Sequence, residues 1–119
     1  MVRIVLVDDQ VEFRASFADL LSRAPDVEIV GEASDGREGV ALALSLRPDV
    51  TLMDVRMPVM DGIAATAALR KEWVEACVLV LTTFDDDELI GAAMRAGATG
   101  YLLKGTPVED LLAILGLAR

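Results

Sequence analysis

Five short apolar runs, at residues 2–7, 27–33, 50–53, 77–81 and 99–103, alternate along this chain with five segments of helical periodicity. No other feature restricts the possible folds as tightly. Strands joined through helices must lie parallel, and right-handed crossovers return the chain to the same end of the sheet each time. The alternation therefore predicts an α/β domain: a (βα)5 parallel sheet, doubly wound, with helices on both faces. The opening run Val-Arg-Ile-Val-Leu-Val is rich in β-branched residues, and Cys77 to Leu81 is apolar without a break, as in a strand covered on both sides. Glu28 and Glu32 place the second run at an edge.

The intervening segments carry one apolar stripe each. Phe13, Phe17, Leu20, Leu21 and Ala24 recur at helical spacing until Pro25 stops them, and Val40, Ala43 and Leu44 follow the turn and cap Ser34-Asp35-Gly36. Pro48 and Asp49 end that second helix. A third helix is expected from Asp61 to Lys71 with Ile63, Thr66 and Leu69 inward. Asp85 and Glu88 read as a cap pair for a fourth, which ends near Gly97. Thr106, Pro107 and Glu109 predict a capping box for a fifth helix carrying Val108, Leu111, Leu112 and Leu115. Met53, Met57, Met60 and Met94 read as core or loop filler, and Trp73 as a partly exposed helix end.

A length of 119 residues allows one core and not two, and 54% hydrophobic with 26% charged residues marks a folded chain rather than a disordered one. Eleven basic against twenty acidic residues leave a net charge of −9, which repels phosphate backbones and attracts cations or a basic partner. The lone Cys77 has no partner for an internal disulfide and reads as a small core residue. No basic-then-apolar leader opens the chain, and the apolar stretch 111–118 is too short to cross a bilayer. The expected setting is a reducing cytoplasm, with no membrane contact.

In an open α/β sheet, ligands bind at the carboxyl edge of the strands. There the first run ends in Asp8-Asp9, the third in Asp54, the fourth in Thr82 and the fifth in Lys104. A strand-end Asp is often only a turn former and an acid pair only a helix cap, so each piece alone says little. Three carboxylates sharing one crevice raise each other's pKa unless a cation intervenes. Lys104 supplies one cation. The oxygen-only donor set, in a chain with no histidine, favours Mg2+, with Mn2+ or Ca2+ as substitutes, over tetrahedral zinc. With such a metal, a carboxylate can attack phosphorus. Asp54, the single acid on the central loop, is the best nucleophile, leaving Asp8 and Asp9 to hold the metal.

The joint pattern resembles the receiver domain of two-component response regulators along essentially the whole chain, 1–119. The residues that carry the resemblance are Asp8-Asp9, Asp54 in Leu-Met-Asp-Val-Arg-Met-Pro with Asp61-Gly62 beyond it, Thr82, and Tyr101 and Lys104 in Gly-Tyr-Leu-Leu-Lys. The resemblance implies a flavodoxin-like, CheY-like sheet of order 2-1-3-4-5. It implies that Asp54 is the phosphoacceptor for a phosphohistidine of a sensor histidine kinase. Mg2+ would be bound by Asp9, Asp54 and the backbone carbonyl of Arg56, with Asp8 acting through water. Thr82 and Lys104 would contact the phosphoryl oxygens, and Tyr101 would move inward with Thr82 as the switch, Thr83 being the competing neighbour. Arg56 and Phe84, two places beyond Asp54 and Thr82, would tune hydrolysis of the phosphoryl group.

Gly105 stands where most receivers have proline. With Thr-Thr-Phe-Asp after the fourth strand, this variant is similar to the NarL/FixJ type, whose receiver precedes a LuxR-type helix-turn-helix. DNA contact would then pass only through such an output domain, which is missing before Arg119, and phosphorylation could pair two copies as a homodimer. A truncated chain is favoured over a stand-alone receiver. Two other readings remain at this stage. A haloacid-dehalogenase-like phosphohydrolase also uses a strand-end Asp with Mg2+, although Arg56 replaces its usual second acid. A degenerate receiver would serve only as a protein-binding module.

Overall fold

Strand and helix alternate as the sequence predicts: β1 (Val2–Val7), α1 (Val11–Ser22), β2 (Val27–Ala33), α2 (Gly36–Leu46), β3 (Val50–Asp54), α3 (Gly62–Glu72), β4 (Val78–Thr82), α4 (Asp87–Arg95), β5 (Gly100–Leu103) and α5 (Val108–Ile114). The structure, a computed structural model, describes residues 1–83 and 87–116. Phe84 and the expected Asp85 cap lie outside the described residues. The five strands form one parallel sheet in the order β2-β1-β3-β4-β5. The order reverses beside β1, so the crevice between the β1 and β3 ends is the topological switch point where ligands collect.

Period-two alternation sorts the strand residues onto two faces. Ile4, Leu6, Leu52, Leu79, Leu81 and Leu102 meet Phe17 and Leu21 of α1 and Leu111 of α5. Val5, Val7, Met53, Val78 and Val80 meet Ala43 of α2, Ala65 and Leu69 of α3, and Ala93 of α4. The alanines on α2 to α4 give that layer close, thin packing. β2 is an edge strand, and its Glu28 and Glu32 are exposed.

Several local expectations need correcting. Leu20 is exposed rather than core: the inner stripe of α1 runs through Phe17, Ala18 and Leu21, one position round the helix. Cys77 precedes β4 and is half-buried, and Met94 is exposed. The Thr106–Glu109 capping box does not form. The N-cap of α5 is Pro107, without a side-chain cap bond, so Thr106 lies one residue too early and its N–H donates to the Leu103 carbonyl at 2.9 Å. Asp35 and Asp61 do cap their helices, accepting from the N–H of Glu38 and Ala64, each at 2.8 Å.

Two details fix the β3–α3 loop. A Cβ on Gly62 would lie 2.0 Å from the Asp54 carbonyl oxygen, so only glycine lets α3 start against the end of β3. Val59 has φ 69°, a left-handed conformation that costs a β-branched residue energy, and its side chain is 74% exposed.

Candidate functional site

The site is built from the carboxyl ends of the strands. Arg14, one turn into α1, braces two of them: its Nη1 donates to the carbonyls of Asp8 at 2.6 Å and Ala33 at 3.2 Å, at the ends of β1 and β2, the second of which also accepts from the Asp8 N–H at 3.0 Å. Its Nε meets Glu32 at 3.3 Å. The turn after β1 is thereby fixed. Asp8 Oδ1 accepts from the Gln10 N–H at 2.8 Å, an Asx-type turn that leaves Oδ2 facing the crevice.

On the neighbouring strand Asp54 follows Leu52 on the face covered by α1 and α5, at the point where β3 surfaces. The loop beyond it turns back through the Val55 N–H to the Leu81 carbonyl at 3.1 Å and the Gly62 N–H to the Val55 carbonyl at 2.8 Å. One carboxylate oxygen from each of Asp8, Asp9 and Asp54 lies within 4.8 Å of the others. Asp8 is 0% exposed and Asp54 5%, while Asp9 is open to solvent. A cavity of about 310 Å³ opens over them, lined by Asp9, Gln10, Asp54, Arg56, Thr82 and Lys104 among others.

Lys104 reaches into this acidic group from the end of β5. Its Nζ stands 2.9 Å from Asp8 Oδ2 and 3.4 Å from Asp54 Oδ2. The Asp8 contact is an ion pair without the geometry of a directed hydrogen bond, so that buried oxygen keeps unused acceptor capacity. The nearest partner of the ammonium is neither acid but Gln10 Oε1, at 2.6 Å, and the Phe13 ring centroid lies 4.6 Å away. Burial, then the Asp8 charge, pushes the Asp54 carboxyl from 3.8 up to about 6, with Lys104 opposing and Asp9 adding to the rise.

The fit to a divalent cation rests on the donors themselves. Three carboxylates converge, one oxygen of Asp8 lacks a directed bond, and the chain contains no histidine. That all-oxygen set suits Mg2+ or Mn2+. Arg56 lines the same cavity, and its side chain is exposed.

Of the residues singled out from sequence, Asp8, Asp9, Asp54, Arg56, Thr82 and Lys104 come together at one edge. Thr82 is buried at the end of β4. Tyr101 stands apart from the cavity, 44% exposed on β5. Its register opposite Val80, with Leu103 opposite Thr82, puts it on the same sheet face as Thr82 and one step back along the strands. Phe84 lies outside the described residues. Gln10 and Phe13 were missed as site residues. Their signal is positional: Gln10 directly follows the acid pair and Phe13 lies three residues on, the same face of a starting helix.

Residues 4–116 match the family described as the response regulator receiver domain. The chain belongs to this family. The receiver is 45% identical over 111 residues to the transcriptional regulatory protein LiaR of Bacillus subtilis (strain 168). It is 41% identical over 112 residues to the nitrate/nitrite response regulator protein NarL of Escherichia coli (strain K12). These alignments cover 93% and 94% of this receiver but 53% and 52% of the relatives, so the chain spans about half the length of the curated relatives it matches. The signal receiver domain of the response regulator NarL from Mycobacterium tuberculosis superposes with a TM-score of 0.90 at 38% identity, covering 97% of this chain and 94% of that one. The chemotaxis protein CheY4 of Vibrio cholerae superposes at 0.86 with 35% identity, over 100% and 99%. The receiver is thus of the NarL/LuxR type, a signalling component of two-component systems with the CheY-like fold. No helix among the described residues is long and apolar enough to cross a membrane.

Proposed function

We propose that this receiver is a phosphorylation switch in which Asp54 accepts a phosphoryl group from the phosphohistidine of a sensor histidine kinase, with Mg2+ as cofactor. The observation that carries the reading is the juxtaposition of three carboxylates within 4.8 Å with the Lys104 ammonium 3.4 Å from Asp54. In the transfer an Asp54 carboxylate oxygen forms the new bond to phosphorus. The P–N bond breaks, and its electron pair leaves with the imidazole, which takes up a proton. The divalent cation would supply neutralisation of charge on the phosphoryl oxygens.

Asp9, Asp54 and the Arg56 carbonyl would hold the metal directly, and Asp8 through water. Lys104 would donate to one phosphoryl oxygen and the Thr82 hydroxyl to another. Because Tyr101 shares a sheet face with Thr82, an inward shift of Thr82 would open room for the ring and repack α4, β5 and α5. Arg56 and Phe84 would control water's approach to the phosphoryl group. The length of relatives such as LiaR supports an output domain, DNA-binding and transcriptional, beyond the receiver 1–119 in the whole protein. Phosphorylation would favour a homodimer of the receiver in a cytoplasmic setting.

Incubation with acetyl phosphate and Mg2+, followed by intact mass, tests the reading. Stable addition of one phosphoryl group to the wild type and none to Asp54→Asn is the expected result. No label with steady turnover of small phosphoesters would make the protein a phosphohydrolase. No label and no turnover would leave a protein-binding module.

A further inference from the structure

We propose that Gln10 is a positioning residue for Lys104: its side-chain oxygen, with Asp8 and the Phe13 ring, holds the ammonium so that one N–H is left for whatever occupies Asp54. The inference rests on the phosphorylation reading above for its catalytic meaning, and on the metal-free geometry for its structural content.

An ammonium has three N–H donors. Around Nζ of Lys104 stand three oxygens: Gln10 Oε1 at 2.6 Å, Asp8 Oδ2 at 2.9 Å and Asp54 Oδ2 at 3.4 Å. The first two are close and fixed, and the third is long. The directed hydrogen bonds run to Gln10 and Asp54, while Asp8 holds the ammonium by charge, so replacing Asp54 Oδ2 by a phosphoryl oxygen redirects one donor and leaves the Gln10 bond and the Asp8 ion pair in place.

Gln10 suits this task because it is itself pinned. Its backbone N–H donates to Asp8 Oδ1 at 2.8 Å, so one acid orients both the amide and, through its other oxygen, the ammonium. Phe13 belongs to the same helix and packs on Phe17 with ring centroids 5.3 Å apart, which ties the aromatic wall of the berth to the core. The main chain fixes only the root of the Lys104 side chain, through its N–H to the Thr82 carbonyl at 2.8 Å. At the far end of four methylenes, the place of the ammonium is set by its side-chain contacts, and Gln10 is the shortest of them.

The test uses Gln10→Met, similar in length but without the acceptor, and Gln10→Glu, which keeps an oxygen there. The first readout needs no phosphodonor: exchange of the Lys104 ammonium protons with water, followed by 15N-edited NMR on metal-free protein. Protection in the wild type and in Gln10→Glu, with exchange about three- to tenfold faster in Gln10→Met, is expected from loss of one charge-assisted bond. The second readout is phosphorylation by acetyl phosphate at saturating Mg2+. It should slow by about three- to tenfold in Gln10→Met, with the Mg2+ concentration for half-maximal rate unchanged, and recover in Gln10→Glu. Wild-type exchange and rate in Gln10→Met would overturn the proposal, as would equal loss in both variants, since damage to the loop would affect both. If the wild type itself accepts no phosphoryl group, the functional reading fails, and the exchange measurement still decides what holds Lys104.

Discussion

Replacing Asp54 by asparagine should stabilise the metal-free protein at neutral pH while abolishing the proposed phosphoryl transfer. The carboxyl titrates at 3.8 where unperturbed and at about 6 in the fold. Because the folded value is the higher one, the native state binds more protons than the unfolded chain between those limits. The contribution of Asp54 to stability is therefore complete below about pH 4 and is lost as the pH rises through about 6. At about 1.4 kcal/mol per pH unit, the ionised Asp54 costs the fold about 3 kcal/mol at pH 7. Asp54 is 5% exposed, so little solvent screening reduces that figure. Asparagine keeps the shape without the charge and forgoes only the long 3.4 Å contact to Lys104. The difference in unfolding free energy, variant minus wild type, should thus climb from near zero at pH 4 to about 2–3 kcal/mol at pH 7 and then level off. Urea unfolding in EDTA at a series of pH values, followed by circular dichroism and the fluorescence of the single Trp73, measures it, and the carboxylates remote from Asp54 cancel in the difference. Superimposable unfolding curves at pH 7, or a difference that shrinks with rising pH, would refute the reasoning. Adding Mg2+ at a hundredfold excess over its dissociation constant should stabilise the wild type by about 2.7 kcal/mol, closing most of the gap.

Val59→Asn should stabilise the protein by about 1 kcal/mol, because asparagine tolerates the φ of 69° that strains valine, and the exposed side chain loses no packing. An unchanged urea midpoint would refute it. Gly62→Ala should cost about 3 kcal/mol, since its Cβ would stand 2.0 Å from a backbone oxygen that cannot move without shifting Asp54. A variant with wild-type stability and wild-type phosphorylation would show that the loop yields freely. Lys104→Met leaves buried Asp8 and Asp54 without their shared cation. It should destabilise the fold by about 3 kcal/mol at pH 7 and raise the Asp54 pKa further, as read by the carboxyl 13C shift against pH. A pKa that stays put would refute the pairing.

The architecture was legible because it depends on pattern. Val2 to Val7 and Cys77 to Leu81 could hardly be anything but covered strands, and their alternation with helical stripes dictates which ends share an edge. The acid pair, Asp54, Thr82 and Lys104 follow from that topology, since each closes a strand or stands just beyond its carboxyl end. What stayed hidden depends on single rotations and single positions. Leu20 and Leu21 are equally apolar, and only the angle of α1 against the sheet decides that Leu21 is buried and Leu20 is not. Thr106 and Pro107 make a plausible cap in either register, and the turn after β5 selects the proline. Gln10 and Phe13 were hidden for a different reason: their role is to contact Lys104, 94 positions from Gln10, and no local rule relates residues that far apart.

The same arithmetic explains why the crevice is both costly and useful. A buried acid held at about 6 is partly protonated in metal-free protein near neutrality, so it is less nucleophilic than a solvated carboxylate and costs the fold stability. A divalent cation between Asp8, Asp9 and Asp54 would remove both defects together, because the positive charge that stabilised the fold would also lower the Asp54 pKa. On the proposed function, metal affinity and readiness for phosphoryl transfer would then draw on one electrostatic conflict. A substitution that relieves the conflict without the metal, as Asp54→Asn should, is expected to weaken metal binding by the free energy it restores to the fold when the two metal-bound forms are equally stable. Mg2+ titrations of both proteins, set beside their metal-free stabilities, would show whether the two quantities move together. Independent variation of the two would mean that the acids are strained by something other than one another's charge.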